Sequence, residues 1–143
     1  MNELLTKDPE GRKFGTIAEA KNYVEKTFIY TSKLGDPHYV GRGKGDNRGD
    51  FEDSDGVFNQ FINPGRSDSE WRNEYHPQMG VWLESCVLPD GEKKTAWLNN
   101  RGHDISRIRL YVKRPGEKDY TCVGIMRYAF TDRPKNTVVW KKA

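Results

Sequence analysis

Apolar residues along this chain come in short bursts, and the spacing inside each burst sets the element it predicts. Thr16-Ile17-Ala18-Glu19 has the form of a capping box, with the Thr16 hydroxyl placed for the third helical N–H and Glu19 able to reach back. Ile17, Ala20 and Val24 follow at helical spacing and predict a helix over Thr16–Lys26. Phe28-Ile29-Tyr30 and His38-Tyr39-Val40 then read as the two arms of a hairpin, turned at Leu34-Gly35-Asp36-Pro37. Asp46 to Asp55 is polar and predicts a loop, whereas the short apolar run Val57–Ile62 fits helix or strand equally.

Downstream the pattern turns to β. Val81–Val87 predicts a strand, and Pro89-Asp90-Gly91 a hairpin turn into a further strand at Thr95–Leu98. In Arg107–Lys113 the apolar Ile108, Leu110 and Val112 alternate with Arg107, Arg109, Tyr111 and Lys113, as in a half-exposed strand. Pro115-Gly116 turns the chain into Tyr120–Phe130, where both parities are apolar over much of the run, as in a central strand buried on both faces. Thr137–Trp140 is expected to close the sheet. The expected fold class is α+β: one N-terminal helix packed on a mainly antiparallel, curved β-sheet or partial barrel. Residues 1-143 read as a single domain, with 1-13 loosely ordered.

Composition supports a core built on rings. Of the 143 residues 34% are hydrophobic, and the mean hydropathy is −0.94. Four Trp, seven Tyr and six Phe can each bury roughly 150–250 Å², so a core forms with few aliphatics. No run approaches the ~18 apolar residues of a membrane span, and no membrane partner is expected. The first residues, MNELLTKDPEGRK, lack the apolar centre of a signal peptide, which gives an expected cytoplasmic location. Cys86 and Cys122 lie far apart, matching neither a disulfide framework nor a zinc site, and read as two buried thiols.

Charge changes the picture more. Between Gly45 and Tyr75, eight acidic residues against Arg48, Arg66 and Arg72 leave −5. Between Lys93 and Lys118, eight bases against Asp104 and Glu117 leave +6. Such polarity steers a polyanion to one face and away from the other. The loop after Val40 carries Arg42, Lys44 and Arg48 among glycines, leaving backbone N–H groups and cations free for phosphate. Nucleic acid, DNA before RNA, is therefore the expected partner. The residues expected to contact it are Arg42, Lys44, Arg48, Arg72, Lys93, Lys94, Arg101, His103, Arg107 and Arg109, with Tyr39 and Trp71 as stacking groups. His76, in Trp71-Arg72-Asn73-Glu74-Tyr75-His76-Pro77, joins them as a base-edge or phosphate contact.

Metal motifs mostly fall away. An EF-hand register around Asp53-Ser54-Asp55-Gly56 places Phe51 and Ile62 at ligand positions. Pro89-Asp90-Gly91-Glu92-Lys93 has the letters of a Mg²⁺-nuclease site compressed into one turn. No metal ligand and no cofactor is expected from these residues.

Two stretches resemble known families. Phe28-Ile29-Tyr30 and Tyr39-Val40-Gly41, followed by Arg42 or Arg48, resemble the GIY-YIG nuclease superfamily, although Phe28 stands where its first motif has glycine. That resemblance implies a Mg²⁺-dependent nuclease with Tyr30, Tyr39 and Arg48 at its centre and Glu74 or Glu84 as metal ligand. From Gly80 to Lys142, Trp82, Leu110-Tyr111-Val112-Lys113, Tyr120-Thr121-Cys122-Val123-Gly124 with Tyr128, and Trp140 resemble a domain of unknown function at the C-termini of bacterial restriction-type helicases. This second resemblance implies a β-rich accessory module that brings no catalytic residues.

The expected function is a small DNA-binding module of bacterial or phage type, linked to restriction or phage defence and without catalytic residues of its own. The alternatives are the GIY-YIG-like nuclease and a protein-binding inhibitor whose acidic segment 46-74 mimics DNA and holds a protein partner.

Overall fold

The capping box forms and starts a longer helix than its periodicity predicts. The Glu19 N–H donates to Thr16 Oγ1 at 3.1 Å, and Glu19 Oε1 accepts from the Gly15 N–H at 2.9 Å. Helix α1 spans Ile17–Thr31. The expected strand at Phe28-Ile29-Tyr30 is therefore the last turn of a helix. Ala20, Val24 and Phe28 recur every four residues, and that rhythm outweighs the β-branched Ile29. The other expected arm, His38-Tyr39-Val40, lies outside the residues described by this computed structural model, which are 8–31, 51–53, 56–65, 71–105 and 107–143.

Eight strands occur among the described residues: β1 (Lys13–Phe14), β2 (Phe51–Glu52), β3 (Phe58–Ile62), β4 (Trp71–His76), β5 (Val81–Cys86), β6 (Arg107–Val112), β7 (Tyr120–Asp132) and β8 (Thr137–Lys142). They form one open sheet in the order β2-β3-β6-β7-β8-β5-β4, with β1 added to β7. Every pairing is antiparallel except β3 with β6, so the ambiguous run Val57–Ile62 resolves as a strand. Trp71–His76 is an edge strand, and Thr137–Lys142 lies inside the sheet rather than closing it.

The expected strand at Thr95–Leu98 is a second error. These residues belong to helix α2, Glu92–Asp104, so the described residues include two α-helices. Leu98, Gly102 and Ile105 mark a helical face in sequence, which the loop-forming Asn99, Asn100 and Gly102 disguise. Gly102 is required by packing: a Cβ there would enter the Tyr128 ring.

The two helices cover opposite faces. Ile62, Trp82, Ile108, Leu110, Val112, Met126, Val138 and Trp140 form the larger core, with Trp97 and Ile105 from the α2 side packed against it. Ala20 of α1 joins Phe14, Tyr111 and Cys122 on the other face, backed by Tyr23 and Phe61. Strand β6 is consequently buried on both sides. Arg109 and Tyr111, expected on an exposed face, are 7% and 0% exposed, and Arg107 alone of that trio reaches solvent. The register of β7 shifts against Leu110/Tyr111 on β6 and again, against β8, between Tyr128 and Phe130; such bulges bend a sheet.

Candidate functional site

The bend brings together side chains from strands that are not neighbours. Gln60 on β3 donates its amide N–H to Glu84 Oε2 on β5 at 3.3 Å. Arg101 on α2 clamps both: Nη2 donates to Gln60 Oε1 at 2.7 Å and to Glu84 Oε2 at 2.8 Å, and Nε to Glu84 Oε1 at 2.9 Å. The Trp140 indole N–H completes the set, donating to Glu84 Oε1 at 3.1 Å. Trp140 itself stacks on Trp82 with ring centroids 5.2 Å apart.

This cluster forms the floor of a pocket of about 400 Å³. Phe58, Trp71 and Trp97 supply ring surface, and Gln60, Asn73, Glu84 and Arg101 supply polar groups. The Trp71 and Trp97 rings meet edge to face at 5.8 Å, and the Lys93 ammonium stands 5.8 Å from the Trp71 ring centre.

Hydrogen-bond arithmetic tells what the pocket offers a ligand. Glu84 accepts four donors on its two oxygens, which fills its lone-pair sites and leaves it to orient its neighbours. An indole N–H can only donate, so the Trp82 bond to Asn73 Oδ1 at 2.8 Å fixes the Asn73 amide with its NH₂ free to donate elsewhere. Arg101 uses Nε and Nη2 on Gln60 and Glu84, leaving Nη1. The pocket thus presents donors between aromatic walls.

A second buried network lies on the α1 face. Tyr111 Oη donates to Asn59 Oδ1 at 2.8 Å, the Asn59 amide donates to Asp53 Oδ2 at 3.0 Å, and Arg109 Nη1 pairs with the same oxygen. Asp53 Oδ1 also accepts the Val57 N–H at 3.1 Å. Burial raises the Tyr111 pKa well above the ordinary phenol value, so its hydroxyl stays a donor. One charge from the acidic stretch and one from the basic stretch therefore neutralise each other inside the protein.

The expected contact residues do not make one face. Lys94 is 8% exposed and paired with Asp90 at 3.2 Å, while Arg101 and Arg109 turn inward onto Glu84 and Asp53. Arg72, Lys93, His103 and Arg107 are exposed. His76 is exposed as well, with Nε2 3.3 Å from Glu74 Oε1. Trp71 is the expected stacking residue that the structure puts at the pocket. Tyr39, Arg42, Lys44 and Arg48 lie outside the described residues, as does the side chain of Tyr30. Among the described residues no three His, Cys, Asp or Glu side chains gather as a metal site, and no helix is long and apolar enough to cross a membrane.

Phe58, Gln60 and Trp97 carry no sequence signal of a site, Asn73 stands out only as part of the Trp71–Pro77 segment, and Glu84 only as a metal ligand. One signal was present. In Trp82-Leu83-Glu84-Ser85-Cys86, strand alternation puts Glu84 on the same face as Trp82 and Cys86, and a carboxylate buried there needs donors from elsewhere.

No family model matches the chain, and no curated protein matches it in sequence, so neither resemblance over 27-50 or 80-142 gains support there. Among solved structures the chain is similar to part of the 5-hydroxymethylcytosine-specific restriction enzyme AbaSI, with a TM-score of 0.61 and 14% identity. The likeness covers 93% of this chain and 38% of the enzyme. At that identity it establishes a shared fold.

Proposed function

We propose that this domain is a DNA-recognition module of a restriction-type or phage-defence system that takes one base out of the stack into the Trp71–Trp97 pocket. The observation that carries this reading is the combination of ring walls with oriented donors. Asn73 and Arg101 are held in place by Trp82 and Glu84, and both open on a space that suits one planar heterocycle. Stacking on an aromatic side chain contributes about 1–3 kcal/mol per base, enough to offset much of the few kcal/mol that unstacking costs. Donors in the pocket favour a base edge rich in acceptors, such as the O2 and N3 side of a cytosine. The specificity in the name of the structural neighbour supports a modified cytosine as occupant.

The test uses duplexes with cytosine, 5-methylcytosine, 5-hydroxymethylcytosine or a mismatch at one position, each with 2-aminopurine beside it. Saturating protein is expected to raise the 2-aminopurine fluorescence and to bind one of the modified or mismatched duplexes tightest. Trp71→Ala, at a half-buried edge-strand position, is expected to weaken that preferred complex about tenfold, the loss of one stacking contact. Tight binding with no fluorescence change on any duplex refutes base extrusion.

A further inference from the structure

The sheet face opposite the pocket carries a line of exposed cations. Ile108 and Met126 pair across β6 and β7 and belong to the larger core, so their neighbours Arg107 and Arg127 point to the other face. Arg107 sits directly opposite Arg127, and Arg127 directly opposite Lys141 on β8. Lys141 in turn faces Val81 on β5, and Val81 faces His76 on β4. Arg107, Arg127, Lys141 and His76 are all exposed. None of the first three forms an ion pair among the described residues, whereas His76 has Glu74 beside it.

Like charges directly opposite on adjacent strands destabilise a sheet, and opposite charges there stabilise it. Three consecutive strands here place a cation in the same cross-strand row. With neighbouring strands ~4.8 Å apart, the row spans roughly 10 Å. One strand of a nucleic acid rises about 3.4 Å per phosphate, so the row spans about three phosphate steps. The next row on this face holds Phe130, 52% exposed, opposite Val139, which is followed by Leu83. A ring beside a cationic line suits a sugar-phosphate backbone better than a lipid surface, which rewards a broad basic field over a single row.

We infer that Arg107, Arg127 and Lys141 form a phosphate track that holds a nucleic-acid backbone on the face away from the pocket. The assignment stands whether or not the pocket admits a base. Each phosphate neutralised contributes a salt slope of about 0.9 for duplex DNA.

The experiment is fluorescence anisotropy with a 20-base-pair duplex between 50 and 200 mM salt, comparing the protein with R107Q/R127Q/K141Q. The slope of log K against log salt is expected to fall by about 2.7, so the affinity advantage at 50 mM over 200 mM shrinks about 40-fold. Circular dichroism checks folding. Should the triple variant not fold, R107Q, R127Q and K141Q singly are each expected to lower the slope by about 0.9. Folded variants with an unchanged slope overturn the track. So does binding to phosphatidylserine vesicles that the substitutions remove while the DNA slope persists. The 2-aminopurine signal at saturating protein decides the pocket, and the salt slope decides the row.

Discussion

Removing both partners of the Glu84–Arg101 pair should cost about as much as removing either one, far less than the sum of the two losses. Glu84 is 2% exposed and Arg101 14% at the side chain, so the pair is largely desolvated. Glu84→Leu strips the acceptor from Arg101, Gln60 and Trp140 at once and leaves a guanidinium without its counter-ion. Breaking a buried pair from one side costs about 3–5 kcal/mol, a large part of the ~5–15 kcal/mol that holds a domain folded. Arg101→Met leaves the carboxylate buried with only the Trp140 and Gln60 donors, and about the same loss is expected. In the double variant no ion remains. The Trp140 and Gln60 donors and the Gln60 Oε1 acceptor are orphaned, and better apolar packing offsets part of their about 1–3 kcal/mol each. The double variant should therefore lie within about 1 kcal/mol of the worse single, giving a coupling energy of about 3–5 kcal/mol. Urea unfolding followed by tryptophan fluorescence measures all four corners of the cycle. A coupling below about 1 kcal/mol is the range of exposed pairs and would refute the reading of this cluster as a desolvated clamp.

Other consequences can be measured on the same footing. Gly102→Ala should gain about 1 kcal/mol of helix propensity yet lose more by driving its Cβ into the Tyr128 ring; a net loss of about 1–2 kcal/mol in urea, relieved by adding Tyr128→Leu, is the expected result. Burial pushes the Cys122 thiol from 9.0 up to about 12. Its contribution is intact below pH 9 and is lost as pH rises, because the unfolded chain ionises first; stability should fall by about 1.4 kcal/mol per pH unit from pH 9 towards 12, with Tyr111 adding to the slope above about 10. Urea midpoints between pH 8 and 11 show this, and Cys122→Ala should flatten the decline.

What could be read from the sequence was mostly local. The Thr16–Glu19 capping box and the inward set Ile108, Leu110 and Val112 follow from short-range spacing, and both are found as expected. Arg109 reads as surface in the sequence, because charge in a strand usually means solvent. Its partner Asp53 lies 56 residues away, and no local pattern connects them. The end of α1 and the whole of α2 were lost to residues whose intrinsic preference opposes their setting: Ile29 in a helix, and Asn99, Asn100 and Gly102 in another. The pocket was harder still. Gln60, Asn73 and Glu84 come from three strands, and Gln60 meets Glu84 only because the sheet curls. A bend made by two register shifts leaves no periodicity to detect. The cationic row was half visible in Arg107, but the partners that define it, Arg127 and Lys141, depend on register.

The strand order also bears on how the chain is made. The last three described strands to leave the ribosome, β6, β7 and β8, occupy the middle of the sheet. Until they emerge, β1, β3 and β5 lack the neighbours β7, β6 and β8, and the described part can form just two separate hairpins, β2–β3 and β4–β5. Isolated hairpins are marginal in water, and their unpaired edges invite association with other chains. A nascent or truncated chain ending near Gly91 would therefore carry the ring-rich strands of the protein with nothing to cover them. The sheet can therefore close only after β8 has been made, and until then the exposed strand edges are the part of the chain most open to wrong pairing.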